Sequence, residues 1–216
     1  MRGAVGVLGV VGQSSGPTPI ALVQQTYAGN ATTVTPGSSV STSNTLVLVV
    51  TTFSGGDTVT SVSGGGTWTK ATGFASISGG GNGSGEIWYC LAPTAGINTV
   101  TVAFTSSPSW PSLTLSEWSG VIVGLDSTAV YNPGTSQDTY TGPVVTPTHA
   151  NCLFVSVSGF QALSAQTNWT AFSSWSSGSN AYNWSAYIVG TGTTAQAPTG
   201  NAHGSCPAVA VAAFYA

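Results

Sequence analysis

Residues 85–120, GEIWYCLAPTAGINTVTVAFTSSPSWPSLTLSEWSG, limit what this chain can fold into more than any other stretch. Residues 86–91 read as a β-strand. Residues 98–104 and 113–118 alternate polar and apolar side chains with a period of two, the spacing that places every second side chain on one face of a strand. Gly96, Pro108 and Pro111 punctuate the gaps between them. The block also recurs. At an offset of about 96 residues Trp88 meets Trp184, Gly96 meets Gly192, Leu113 meets Val209, Leu115 meets Val211 and Trp118 meets Phe214. The chain therefore reads as two related halves, each closing with this unit.

The remaining strands follow the same plan. Residues 20–26 and 31–36 are expected to be strands. Residues 44–53 are apolar on both faces, as a central strand covered on both sides would be. Residues 57–63 and 67–72 follow, and SGGGNGSG at 78–85 reads as a loop too rich in glycine to order itself. After a strand at 121–131 the second half repeats the layout. Strands are expected at 139–146, at 151–157 (matching 44–50), near Trp169 (matching Trp68), at 180–189, at 193–199 and at 207–215. Many short strands separated by turn signals predict an all-β fold, an antiparallel β-sandwich of jelly-roll or Ig-like type made of two pseudo-repeats. We assign residues 1–18 to an apolar N-terminal arm and linker. Residues 19–216 form the β-sandwich domain, with pseudo-repeats at about 44–120 and 151–216. One sandwich is preferred to two modules, because the second half is short and no linker precedes it.

Charge then decides which functions remain open. Charged residues make up 3% of the chain, with two Lys plus Arg against five Asp plus Glu. Nucleic-acid binding needs clustered cations, and so does polybasic attachment to a membrane surface, so the expectation is no nucleic-acid partner and no membrane partner. Solubility rests instead on hydroxyls and amides. Ser and Thr supply roughly a quarter of the residues, well above ordinary usage.

The N-terminal run holds Val5, Val7, Leu8, Val10 and Val11, interrupted by glycine. It is too short to span a bilayer and carries no convincing cleavage signal, so it reads as an arm that packs on a neighbouring chain. The three cysteines, Cys90, Cys152 and Cys206, lack metal-ligand spacing and read as free buried thiols, with a Cys152–Cys206 bridge as the alternative.

No residue pattern announces a reaction. Gly12-Gln13-Ser14-Ser15-Gly16 matches a nucleophile-elbow motif, but Pro17-Thr18-Pro19 follows where a helix is needed. His149 and His203 have no partner at triad or ligand spacing. Asp57, Glu86, Glu117, Asp126 and Asp138 show no calcium-loop pattern. Glu86 and Glu117 would make a glycosidase pair only if the fold brought them within about 5–9 Å; the alternative is two structural carboxylates. The expectation is no catalytic residues, no cofactor and no metal. Sequons at Asn30, Asn82, Asn168 and Asn183 carry little weight in a chain this rich in Ser and Thr. Trp68, Trp88, Trp118, Trp169 and Trp184 fall on strands and are assigned mostly to the core. Trp110 and Trp175 lie in polar, turn-like surroundings and are the candidates for contact with a partner subunit or a glycan, together with the arm residues.

The order NTLVLVV (44–50), GTWT (66–69), IWY (87–89), TVTV (99–102) and LSEWSGV (115–121), with the closing AVAVAAF (208–214), resembles Gly/Ser/Thr-rich β-sandwich proteins of tailed bacteriophage virions, as head decoration or minor tail proteins, and of bacterial surfaces. The resemblance spans roughly residues 20–216 and implies no catalytic residues. It implies a non-enzymatic structural protein at the virion surface, a homo-oligomer that contacts the major capsid or tail protein. A secreted, extracellular carbohydrate-binding or adhesion module, with a host-surface glycan as its partner, is the alternative.

Overall fold

The computed structural model describes residues 18–53, 57–77, 81–120, 122–159, 166–172, 175–177, 181–205 and 207–216. The arm residues Val5, Val7, Leu8, Val10 and Val11, the 12–16 motif and Cys206 lie outside the described residues. The described chain is all-β, and its sheets are antiparallel.

The first half supplies β1 (Ala21–Gly29), β2 (Thr33–Val34), β3 (Thr45–Thr52), β4 (Val59–Ser63), β5 (Thr69–Ile77), β6 (Gly81–Cys90), β7 (Val100–Phe104) and β8 (Ser112–Ser119). The second half supplies β9 (Gly124–Tyr131), β10 (Gln137–Thr141), β11 (Cys152–Gly159), β12 (Thr170–Ala171), β13 (Trp175–Ser177), β14 (Ala181–Gly190), β15 (Thr199–Ser205) and β16 (Ala208–Tyr215). A large sheet runs β1-β8-β3-β6-β5, and its counterpart runs β9-β16-β11-β14-β12, with β13 also on β14. Each large sheet carries a small one on its outer face, β2-β7-β4 on the first and β10-β15 on the second.

Side-chain alternation sorts each large sheet between two cores. Leu46, Leu48, Val50, Leu113 and Leu115 face the first small sheet, against Val34, Val100 and Val102. Cys152, Phe154, Val209, Val211 and Ala213 face the second, with Tyr140 and Val145. The opposite faces of both large sheets meet. Val47, Val49, Ile87 and Trp118 pack against Leu153, Val155, Val157, Ala210, Ala212 and Phe214 in one shared core. This layering explains the doubly apolar runs: every residue of β3 and of β11 is buried.

The halves repeat down to their irregularities. Trp118 pairs with Thr45 on β3, and Phe214 pairs with Leu153 on β11. Two residues further along the central strands, Val47 pairs with Tyr89 and Val155 with Tyr187. Each edge strand carries a bulge at the matching place. Val23 is the extra residue between Leu22, opposite Trp118, and Gln24, opposite Glu117. Asp126 is the extra residue between Leu125, opposite Phe214, and Ser127, opposite Ala213. Such bulges twist an edge and interrupt its pairing. An isolated bridge follows in each half, Val40–Gly96 and Val145–Gln196.

Five sequence expectations are corrected. The match of 44–50 to 151–157 is one residue out of register: pairing sets Thr45 against Leu153, and a one-residue slip would send every side chain to the wrong core. The structural counterpart of Trp88 is then Ala186, opposite Ser156, and Trp184 instead pairs with Ser158. Gly96 corresponds by its bridge to Gln196, so Gly192 is not its partner. The strand expected at 193–199 is replaced by β15, whose sequence TGNAHGS has no alternating apolar set to reveal it. The glycine-rich loop expected at 78–85 is strand from Gly81 onward. Gly85 is needed there because a Cβ would lie 2.6 Å from the Phe74 ring and 3.0 Å from Val157. Its neighbour Ser84 is buried, bonded to Thr52 Oγ1 at 2.8 Å and donating to the Asp57 carbonyl at 2.6 Å.

Candidate functional site

The buried acids are tied into the fold. Glu86 accepts hydrogen bonds from the Val59 N–H at 3.0 Å and Trp88 Nε1 at 2.8 Å, and pairs with Lys70 Nζ at 3.0 Å. It thereby joins β4, β5 and β6. Glu117 accepts from the Ser41 N–H at 2.9 Å, from Asn44 Nδ2 at 2.6 Å and from Gln24 Nε2. It holds the loop that leads into β3. Both carboxylates are 1% exposed. Glu86 lies opposite Val50 and Glu117 opposite Leu46, on the two flanks of β3. Four residues along a strand span about 13 Å, and two strand spacings add about 10 Å across. The two acids are therefore too far apart for a glycosidase pair. Asp57 is buried and accepts from Ser106 Oγ, and Asp138 is exposed on β10.

Asp126 does for the second half what Glu117 does for the first. From its bulge it accepts the N–H groups of Thr148 and His149, at 2.9 and 3.0 Å, and the Thr148 hydroxyl at 2.8 Å, and so fixes the loop before β11. His149 Nδ1 lies 3.2 Å from the same carboxylate, and its ring stacks on Tyr215 with centroids 4.0 Å apart. Burial alone would push the Asp126 carboxyl up. The hydrogen bonds from Thr148 and His149 outweigh it and hold the group at about 2, below its ordinary 3.8. A carboxyl depressed in the folded state contributes stability that is complete above the unfolded value and is lost as pH falls through the folded one. The difference in thermal midpoint between wild type and Asp126→Asn is thus expected to be constant above about pH 5 and to shrink from there towards pH 2. A difference that stays flat across that range would contradict this role.

Cys90 and Cys152 are free, buried thiols. The Cys152 thiol donates to the His149 carbonyl at 3.2 Å; burial, with the Asp126 charge beside it, pushes it up to about 12, so it is a poor nucleophile. His203 falls on β15 and His149 in the loop before β11, and among the described residues no cluster of His, Cys, Asp and Glu could hold a metal. Of the core tryptophans, Trp118 and Trp169 are buried, and Trp68 and Trp88 pack half-buried against the first outer core. Trp175 opens β13, opposite Asn183.

Among the described residues Trp110 is a sequence candidate that reaches solvent. It is 49% exposed and stands at φ +54°, a left-handed conformation that costs a non-glycine residue about 1–2 kcal/mol. The backbone on both sides of it is anchored: the Ser109 carbonyl accepts the Phe53 N–H at 3.0 Å, and the Pro111 carbonyl accepts the Ala31 N–H at 3.0 Å. The same segment walls a groove of about 600 Å³, formed by residues 30–33 after β1, Val102 and Phe104 of β7, and Ser106, Ser107, Pro108 and Pro111. The Val102 N–H donates to the Thr32 carbonyl at 2.8 Å, so the groove's two sides are bonded to each other. No lining side chain is charged. The sequence pointed to Trp110 but not to the groove. Residues 30–33 and 106–111 lie about 75 residues apart, and the β1–β8 and β2–β7 pairings with the Ala31–Pro111 backbone bond bring them together.

Compared with protein-family models, with curated proteins and with solved structures, the chain matches none.

Proposed function

We propose that this protein is a non-enzymatic structural component of a tailed-bacteriophage virion, a surface unit of the capsid (or a minor tail protein) that acts through contacts with copies of itself and with the major capsid or tail protein. The observation that carries the reading is what happens to the few charges. Glu86, Glu117 and Asp57 are buried in structural bonds, and Asp126 is spent on a loop. Among the described residues, what faces outward is hydroxyl-rich and sparsely charged, with Lys70 and Asp138 exposed, and apolar side chains are scattered over it: Val23 at 51% exposure, Val123 at 56% and Val144 at 62%. Interface cores are likewise depleted of charge. A rigid body of stacked sheets with such a surface suits a packed assembly.

Association through apolar burial and neutral hydrogen bonds depends weakly on ionic strength, whereas contacts between exposed charges are screened as the Debye length falls from about 14 to about 3 Å between 50 mM and 1 M salt. Sedimentation of the full chain is therefore expected to show an oligomer that persists unchanged over that range. A monomer at every concentration up to about 100 µM, or an oligomer that dissociates in high salt, would overturn the proposal.

A further inference from the structure

We propose that the second half binds one water molecule in its interior, between β11 and the small sheet β10-β15, at a site formed by Tyr140, Ser158 and Gln166. The proposal goes beyond the assembly role above and does not depend on it.

The first observation is a hydroxyl in need of a partner. Tyr140 is 3% exposed, yet among the described residues its hydroxyl has no hydrogen-bond partner. The hydroxyl end of its ring lies over Gly200, its partner on β15, where a Cβ would come within 2.8 Å of the ring. Ser158 and Gln166 stand beside that hydroxyl: burial pushes the phenol up, and these two side chains draw it part of the way back. Native proteins leave few buried hydroxyls unbonded, and buried water is the usual partner of those that find none in the protein.

The neighbouring side chains supply the further bonds a water needs. Ser156, Ser158 and Gln166 are all buried. Ser156 Oγ donates to Gln166 Oε1, and Gln166 Nε2 reaches Ser158 Oγ only at 3.5 Å, the outer limit of a bond. The next residue ties this segment to β15, the Thr167 N–H donating to the Thr199 carbonyl at 2.8 Å. Water both accepts and donates, so it can accept from the Tyr140 hydroxyl and donate to Ser158 Oγ or Gln166 Oε1. The cluster holds no charged side chain, which disfavours an ion as the guest.

The second observation is independent and comes from the internal repeat. With Leu153 set against Thr45, Ser156 stands where the first half has Leu48, and Ser158 where it has Val50. Ala186, opposite Ser156, stands where the first half has Trp88, opposite Leu48. Three large apolar side chains that fill the first outer core are thus two serines and an alanine in the second. Protein interiors are close-packed, so that volume has to be taken up by something else. Gln166, from the segment before β12, takes up part of it, and it brings polar atoms. A site that is both roomy and polar holds water, whereas an apolar one stays dry.

The test begins with Tyr140→Phe, which removes the hydroxyl and keeps the ring. A hydroxyl bonded to water contributes stability, so the thermal midpoint is expected to fall by about 2–4 °C. A midpoint that is unchanged or rises would mean an unbonded hydroxyl and would overturn the proposal. A crystal structure of the full chain, at a resolution that shows ordered water, then decides what bonds it. The expected result is one water about 2.6–3.2 Å from Tyr140 Oη and from at least one of Ser158 Oγ and the Gln166 amide, present in every copy. A direct bond from Tyr140 Oη to Ser158 or Gln166, with no water between them, would also overturn it.

Discussion

Replacing Glu117 with alanine is expected to lower the unfolding free energy by about 2–4 kcal/mol, because it strands hydrogen-bond donors and opens a space in the first half. The carboxylate is 1% exposed and takes bonds from three residues in two separate segments: Gln24 on β1, and Ser41 and Asn44 in the loop before β3. Every partner is a donor, so only an acceptor fits. Glutamine keeps the size but turns an amide N–H₂ towards those donors, and Glu117→Gln should still cost about 1–3 kcal/mol. Urea titration at neutral pH measures both. If alanine costs less than about 1 kcal/mol, Glu117 does not hold the loop. The same pair of variants separates structure from chemistry, since a residue kept for catalysis is commonly neutral or costly to stability, and its removal would not destabilise by this amount.

The strands of the central sheets were legible because burial on both faces writes long apolar runs. TLVLVVTT and CLFVSVSG could hardly be anything else once their lengths are set against those of helices. The alternation in Leu113, Leu115 and Trp118, and in Val209, Val211 and Phe214, was legible too, and the structure keeps each pair facing corresponding cores. Register was harder to read. A match of identical residues, Asn44 to Asn151 or Trp88 to Trp184, is persuasive in a sequence but carries no information about which face a side chain takes. Ladder pairing is set by the whole sheet, and it placed Trp88 against Ala186's position instead. β15 was misplaced because its hydroxyls and glycines leave no periodic trace. The candidate site divides in the same way. A tryptophan between two prolines stands out in a sequence. A groove made of two loops distant in the chain does not, because its shape depends on main-chain bonds such as Ala31 to Pro111, to which side-chain identity contributes little.

Trp118→Ala is expected to have the largest effect of any single substitution, a loss of about 3–5 kcal/mol, which is a large share of the 5–15 kcal/mol that typically separates folded from unfolded domains. The ring is 1% exposed, and its Nε1 donates to Ser116 Oγ at 2.9 Å, so burying its polar atom costs little. Although it belongs to the first half, it meets the second. It packs edge-on against Tyr187 at 4.8 Å and against Phe172 at 6.3 Å. Phe214, its counterpart, reaches back and packs edge-on against Tyr89 at 5.3 Å. Each half thus gives an aromatic from its last strand to the tyrosine at the matching place in the other, the reciprocal pattern of a two-fold interface. Such edge-on pairs contribute about 0.5–1.5 kcal/mol beyond the area they bury. A double-mutant cycle between Trp118→Ala and Tyr187→Ala should therefore show a coupling of about that size. Because the shared core belongs to both halves, unfolding of the wild-type chain is expected as one transition, coincident by far-ultraviolet circular dichroism and by tryptophan fluorescence. Two separate transitions in the wild type, or a Trp118→Ala cost below about 2 kcal/mol, would show that the halves are stable independently and that this contact does not join them.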